Sequence, residues 1–224
     1  DFCGPAGCNH CGGVVSESLV QLLAAEGIVL PDETVQRGID SYVMHMDVGS
    51  VRIDTPLQEK RIAAVYRGHG PKNSETANIP GFDQHLLQRA TRLGANLHPQ
   101  MVTSVDFSAG RPELTLADGR RRRYDLLVIA SGLNSALLSV VEQTGGGFVR
   151  PRAAKSFVAE FKLGVDAVER HLGNSMHVFL LDLPHLQFAA LIPKGNYVTL
   201  VMLGDKVDEA LVNRFLNAEE VRKC

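Results

Sequence analysis

The run Leu126-Leu127-Val128-Ile129-Ala130 constrains the fold more than any other part of the 224-residue chain. An uninterrupted apolar run of this length fits a strand covered on both faces, as in a parallel sheet flanked by helices. Tyr124-Asp125 precede it, and Ser131-Gly132-Leu133-Asn134-Ser135 follow as a small-residue turn ahead of a helix. Small residues at the carboxyl end of a strand let a ligand lie against the backbone. The expectation is a central parallel strand over 126–130 within an α/β fold.

The remaining pattern divides in two. Ser16 to Gly27 reads as a capped helix, with Ser16 as N-cap and Gly27 suited to a left-handed C-terminal position. A hairpin over 42–54 turns at Gly49, and a strand covers 62–66. The Gly/Pro-rich stretch Arg67 to Pro80 is a loop. A helix over 82–93 follows, with Phe82, Leu86, Leu87, Ala90 and Leu93 on one face and Gly94 ending it. Strands are expected over 100–107 and 112–117, with Asp118-Gly119 turning the chain. From residue 151 the character changes. Strands over 157–163, 177–181, 186–192 and 197–203 suggest one antiparallel sheet, with amphipathic helices over 165–172 and 207–217 beside it and Lys194-Gly195-Asn196 at a corner. The domains so read are 1–150 and 151–224.

Charge and composition exclude several functions. Lys and Arg total 23 against 25 Asp and Glu, a net charge of −2, so no basic excess calls for nucleic acid. Arg120 to Arg123 reads as a charged hairpin edge that deters strand addition. No apolar run approaches the ~20 residues of a spanning helix, and no export signal precedes the first helix. Three of the four cysteines fall in the first eleven residues, which is no disulfide lattice, so a reducing cytoplasm is the default.

The segment Cys3-Gly4-Pro5-Ala6-Gly7-Cys8-Asn9-His10-Cys11-Gly12-Gly13 admits three chemistries. Gly4 to Gly7 fits the end of a dinucleotide-binding turn, although no strand precedes it and Gly12-Gly13 would interrupt the helix. Cys3, Cys8 and Cys11 have the C-x4-C-x2-C spacing of a plant-type ferredoxin, with Cys224 as the distant fourth ligand of an Fe–S cluster or zinc. Alternatively, Cys11-Gly12-Gly13 is a loop approaching a flat redox ligand, the glycines clearing the backbone. Cys3 and Cys8 read more plainly as small buried hydrophobes. The eight histidines are scattered without an H-x-x-x-H or H-E-x-x-H ladder, so no histidine metal site is expected. No Ser-His-Asp spacing points to hydrolysis. Arg67 has the fork of donors to reach a phosphate or the adenine side of a dinucleotide, the plainer alternative being a solvated loop arginine.

Taken together, these segments resemble the geranylgeranyl reductases and the wider para-hydroxybenzoate hydroxylase-like FAD superfamily. Cys11-Gly12-Gly13-Val14-Val15 resembles the reductases' C-G-G-(A/V) loop. Phe82-Asp83-Gln84-His85-Leu86, with Ala90 and Gly94-Ala95, resembles their F-D-x-x-L…A…G-A helix. Leu126 to Ser135 resembles their strand and turn, and Ile192 to Val198 a P-x-G-D/N-x-V hairpin of the substrate domain. The resemblance implies a partial FAD-binding Rossmann-like domain with an inserted hairpin, and an antiparallel-sheet substrate domain. FAD would be the cofactor, contacted by Gly12, Gly13, Arg67, Val102, Ala130, Ser131 and Gly132. Cys11 would serve in the proton step that accompanies hydride transfer to a carbon–carbon double bond of an apolar, isoprenoid substrate.

Ser131-Gly132 stands where the superfamily usually has Asp-Gly, so that carboxylate's contact is lost. The strand with G-x-G-x-x-G and the late G-D motif are both missing, which implies an internal fragment of a longer protein, inactive by itself. A flavin monooxygenase of the same superfamily is one alternative, and a cysteine-ligated Fe–S or zinc module is the other. The electron donor is not readable, and contact of the intact protein with a membrane surface stays open.

Overall fold

The computed structural model describes residues 11–68, 80–108, 110–133, 135–143 and 147–224. Cys3, Cys8 and most of the loop expected over 67–80 lie outside the described residues. The chain divides into two compact units, one formed by Gly94–Ala153 and the other by Cys3–Leu93 together with Ala154–Cys224. The hairpin assigned at sequence level to residues 1–150 thus shares a unit with the strands that follow residue 151.

The larger unit begins with β1 (Val14–Ser16) and α1 (Glu17–Ala25). Ser16 accepts the amide of Leu19 at 3.2 Å, satisfying one of the helix's free donors. Strands β2 (Val35–Ile39), β3 (Ser41–Met46), β4 (Gly49–Asp54) and β5 (Ile62–Val65) follow, then α2 (Phe82–Arg92). After residue 153 come β9 (Lys155–Lys162), α4 (Val165–His171), β10 (Ser175–Leu180), β11 (Leu186–Pro193), β12 (Tyr197–Gly204), α5 (Glu209–Leu216) and α6 (Glu219–Arg222). A three-stranded sheet has the order β1-β5-β2, and a six-stranded sheet the order β4-β3-β10-β11-β12-β9.

The six-stranded sheet is not wholly antiparallel. The β3–β4 hairpin joins it through a parallel pairing of β3 with β10. One face of this sheet is covered by helices. There Phe179, Leu200 and Met202 are fully buried under Leu211 and Phe215 of α5, and the Phe179 and Phe215 rings meet edge to face at 5.3 Å. Val168 and Leu172 of the α4 segment pack on Val198. On the opposite face, Ala190 and Ile192 pack against Ala64 of β5, so the small sheet closes over the large one.

The smaller unit is an antiparallel meander of β6 (Val102–Asp106), β7 (Glu113–Leu116) and β8 (Arg121–Arg123), with α3 (Leu137–Gln143) against β6. The arginine run forms the sheet edge, as its charge pattern implied. The strand expected over 126–130 does not form. Leu126 and Val128 are 78% and 77% exposed. The last ladder-like bond is from the Tyr124 amide to the Pro112 carbonyl, and no described residue offers 126–130 a neighbouring strand. Apolar character specifies burial, but a strand also needs a partner for its backbone groups.

Candidate active site

The loop ahead of β1 gathers the larger unit's candidate chemistry. Cys11 is exposed and Gly13 buried. The Gly13 amide donates to Cys11 Sγ at 3.4 Å, and Gly13 takes φ +62°, where a side chain is strained. A Cβ on Gly12 would lie 2.5 Å from Ile192 Cδ1, and one on Gly13 would lie 2.7 Å from the Val65 carbonyl oxygen. Gly13 is therefore demanded by the chain's own packing, independently of any ligand, whereas a side chain at Gly12 would have to displace only the side-chain ends of Ile192 and Val201.

Arg67 joins this loop to α2. Its Nη1 donates to Cys11 Sγ at 2.9 Å, while Nε donates to Asp83 Oδ2, also at 2.9 Å. Asp83 reaches the guanidinium because Gly81 lets α2 begin against the backbone of Arg67, where a Cβ would stand 2.8 Å from the Arg67 carbonyl. Arg67 is thus a fixed donor to a thiol rather than a freely solvated side chain, with the carboxylate setting the plane of its fork.

Lys194 is the functional candidate that sequence reading missed. It is 1% exposed. Its ammonium donates to the carbonyls of Gly12 at 2.9 Å, Gly13 at 2.7 Å and Val65 at 3.0 Å. Burial pushes its pKa down to about 7, with Arg67 acting in the same direction and Glu160 and Cys11 opposing it. Arg37 holds the lysine's backbone, since Nε donates to the Lys194 carbonyl at 3.0 Å while Nη1 pairs with Glu169 at 2.7 Å. The only sequence signal was the Lys194-Gly195-Asn196 corner, which marked a turn and nothing about where Nζ points. A buried cation near a thiol, titrating near neutrality, is the kind of arrangement found at functional sites.

The other expected cofactor contacts lie in the smaller unit. Val102 opens β6 opposite Leu116, and Ala130, Ser131 and Gly132 occupy the irregular segment before α3. Ser131 Oγ is buried without a hydrogen-bond partner among the described residues. Gly132, at φ +80°, has nothing within 4 Å of its Cβ position. An unsatisfied buried hydroxyl beside an open glycine suits the close approach of a polar ligand such as FAD, since an orphaned buried oxygen is otherwise costly. Residues of this type fit the cofactor.

The fold is shared with solved structures that carry reductase-like, oxygenase and flavoprotein descriptions. A geranylgeranyl bacteriochlorophyll reductase-like protein from Thermoplasma acidophilum matches with a TM-score of 0.66 at 13% identity, over 95% of this chain and 53% of its own. A 2-methyl-3-hydroxypyridine-5-carboxylic acid oxygenase matches with a TM-score of 0.59 at 16% identity, over 95% of this chain and 55% of its own. A flavoprotein/dehydrogenase from Cytophaga hutchinsonii gives 0.51 at 16%, over 92% and 46%. The chain spans about half the length of these solved structures. No protein-family model and no curated protein sequence matches it. Among the described residues no helix is long and apolar enough to cross a membrane.

Proposed function

We propose that the chain is part of an FAD-dependent reductase acting on carbon–carbon double bonds of an apolar, isoprenoid-type substrate, with Cys11 as the proton-donating thiol. The observation that carries this reading is the exposed thiol of Cys11 on a glycine loop, held by Arg67 at 2.9 Å. FAD bound there and first reduced by an external electron donor would supply the hydride and return to its oxidised form. The work left to the chain is to present a proton at Cys11 Sγ and to keep that sulfur in place.

Arg67 and Asp83 fix the sulfur from the side of α2. Lys194 fixes the loop from beneath through the Gly12 and Gly13 carbonyls and acts as a positioning residue. Ser131 Oγ and the open backbone at Gly132, with Ala130 beside them and Val102 at the start of β6, are proposed as cofactor contacts of the smaller unit. A reducing compartment such as the cytoplasm keeps Cys11 a free thiol.

The test is anaerobic turnover of a prenyl alkene by the whole flavin-loaded protein with chemically reduced flavin. The expected product has gained two hydrogens. Cys11→Ser is expected to keep its flavin and lose about 10²-fold or more in turnover, the usual contribution of a general acid. Unchanged turnover removes Cys11 from the mechanism. The likeness to the pyridine carboxylate oxygenase favours a second reading, a monooxygenase. Incorporation of an oxygen atom from labelled O2 into product, with no alkene reduction, would establish it in place of the first.

A further inference from the structure

His45 and His177 stand 132 positions apart in sequence and meet through the parallel pairing of β3 with β10. That register sets Val43 opposite His177 and His45 opposite Phe179. Alternation then places both histidines on the helix-covered face as diagonal neighbours. They are 6% and 7% exposed. His45 stacks on Phe179 with ring centroids 4.4 Å apart. After α6 the chain brings Cys224 onto the same spot. Its Sγ lies 3.5 Å from His45 Nε2, and that nitrogen lies 3.0 Å from His177 Nδ1. One ligand atom from each of the three residues falls within 4.8 Å of the others.

We propose that His45, His177 and Cys224 form a mononuclear site for a zinc-type divalent cation, with its fourth position open to the adjoining cavity. A tetrahedral zinc held at about 2.0–2.1 Å by nitrogen and about 2.3 Å by sulfur separates two nitrogens by roughly 3.3 Å and nitrogen from sulfur by roughly 3.5 Å. The His45–His177 and His45–Cys224 spacings need change by only a few tenths of an ångström, and the His177–Cys224 separation is within 4.8 Å. A mixed nitrogen and thiolate set selects zinc over the oxygen-seeking magnesium and calcium.

The surroundings agree with this assignment. Ser50 Oγ lies 2.8 Å from His45 Nδ1. With the Nδ1 proton donated to Ser50, the Nε2 lone pair faces the site, the outer-shell arrangement that orients metal-bound imidazoles. Burial lowers the pKa of both histidines, which favours the neutral rings whose lone pairs ligation uses. Burial raises the Cys224 thiol. Binding therefore exchanges the thiol proton, released to solvent, for a sulfur–zinc bond. The cavity beside the cluster measures about 380 Å³ and is lined by Asp47, Glu219 and Glu220, among others. Lys223 also lines this cavity and pairs with Glu219 at 2.6 Å, which leaves Asp47 and Glu220 as the carboxylates facing the cation, and water can complete its shell. Sequence reading expected no histidine site because neither histidine has a partner at ligand spacing along the chain.

The experiment titrates the metal-stripped protein with zinc against a chromophoric chelator, and with cobalt as an optical reporter. The expected result is one equivalent bound at sub-micromolar strength (roughly 8 kcal/mol or more at that affinity), with an intense thiolate-to-cobalt absorption. Cys224→Ser and His177→Ala should each weaken binding by about 100-fold or more, above the effect of losing an outer-shell partner. The cobalt–thiolate band should vanish in Cys224→Ser and persist in Cys11→Ser. Should either ligand variant fail to fold by circular dichroism, Ser50→Ala provides the check and should weaken zinc about 10-fold or more. Absence of stoichiometric binding, an unaffected Ser50→Ala, or a thiolate band lost with Cys11 and kept with Cys224→Ser would overturn the assignment. None of these readouts depends on turnover or flavin.

Discussion

Lys194 builds a titration into the fold that urea unfolding can read directly. Burial takes its pKa from 10.5 to about 7. Between those values the unfolded chain binds a proton that the native protein has released, so stability rises with pH through the window and is lowest below about pH 7. Two other groups limit the useful range. Burial also raises the Cys224 thiol above its ordinary 9.0 and the Tyr197 hydroxyl above 10.0, and each erodes stability once its unfolded counterpart ionises. From pH 7 to about pH 8.5 Lys194 dominates. The slope climbs from half a proton toward one, which integrates to a gain of roughly 1.5 kcal/mol.

Lys194→Met should flatten that gain. Its effect on absolute stability is the poorer measure because two contributions oppose. The carbonyls of Gly12 and Val65 lose the lysine as donor, at about 1–3 kcal/mol for each one left buried and unpaired, while that of Gly13 keeps the Val65 amide at 2.7 Å. The desolvated cation disappears at the same time. The assay is therefore the pH slope of the unfolding free energy for both proteins, measured by far-ultraviolet circular dichroism at constant denaturant dependence. A wild-type stability that is level or falling over this range, or a rise of equal size in Lys194→Met, would refute a neutral-range titration at Lys194.

Two glycines with similar backbones should respond differently to alanine. Gly13 at φ +62° and Gly132 at φ +80° both incur the left-handed strain, about 1–2 kcal/mol. Gly13→Ala also drives a Cβ against the Val65 carbonyl and Lys194 Nζ, so thermal unfolding should show a loss of about 3 kcal/mol or more. Gly132→Ala should lose no more than the strain itself, its added methyl facing open space, while weakening FAD if the cofactor lies there. Phe179→Ala, fully buried against Phe215, should cost about 3–5 kcal/mol in urea unfolding. Hydrogen exchange should be fast at the amides of 126–130, which donate to no described carbonyl, and slow in β11 and β12. Protection over 126–130 equal to that of β12 would contradict the exposed segment described above.

What was legible in the sequence was mostly local. Ser16 announced the cap of α1, Gly94 the end of α2, and the alternation around Gly49 the β3–β4 hairpin, because each depends on neighbours within a turn or two. The C-G-G loop was legible as a candidate site for the same reason, its residues being adjacent. Arg67 was only half legible. Its fork marked it as a donor, but the acceptors Cys11 and Asp83 come from a preceding loop and a following helix, and the glycine that admits Asp83 looks like any other loop glycine.

The rest turned on strand pairing, which single-strand patterns do not encode. Lys194 reaches Gly12 and Gly13 because the small sheet closes over the face of Ala190 and Ile192. His45 meets His177 because β3 runs parallel to β10, a pairing foreign to the simple antiparallel sheet that the later strands suggested. The run 126–130 shows the converse. Its composition matches that of a central strand, yet with no neighbour among the described residues to accept its amides it makes no ladder and leaves alternate side chains in solvent. Pairing is thus the variable that separates the residues gathered into candidate sites from those that merely have the composition for one. It brought Lys194, His45 and His177, which carried almost no sequence signal, into contact with potential chemistry.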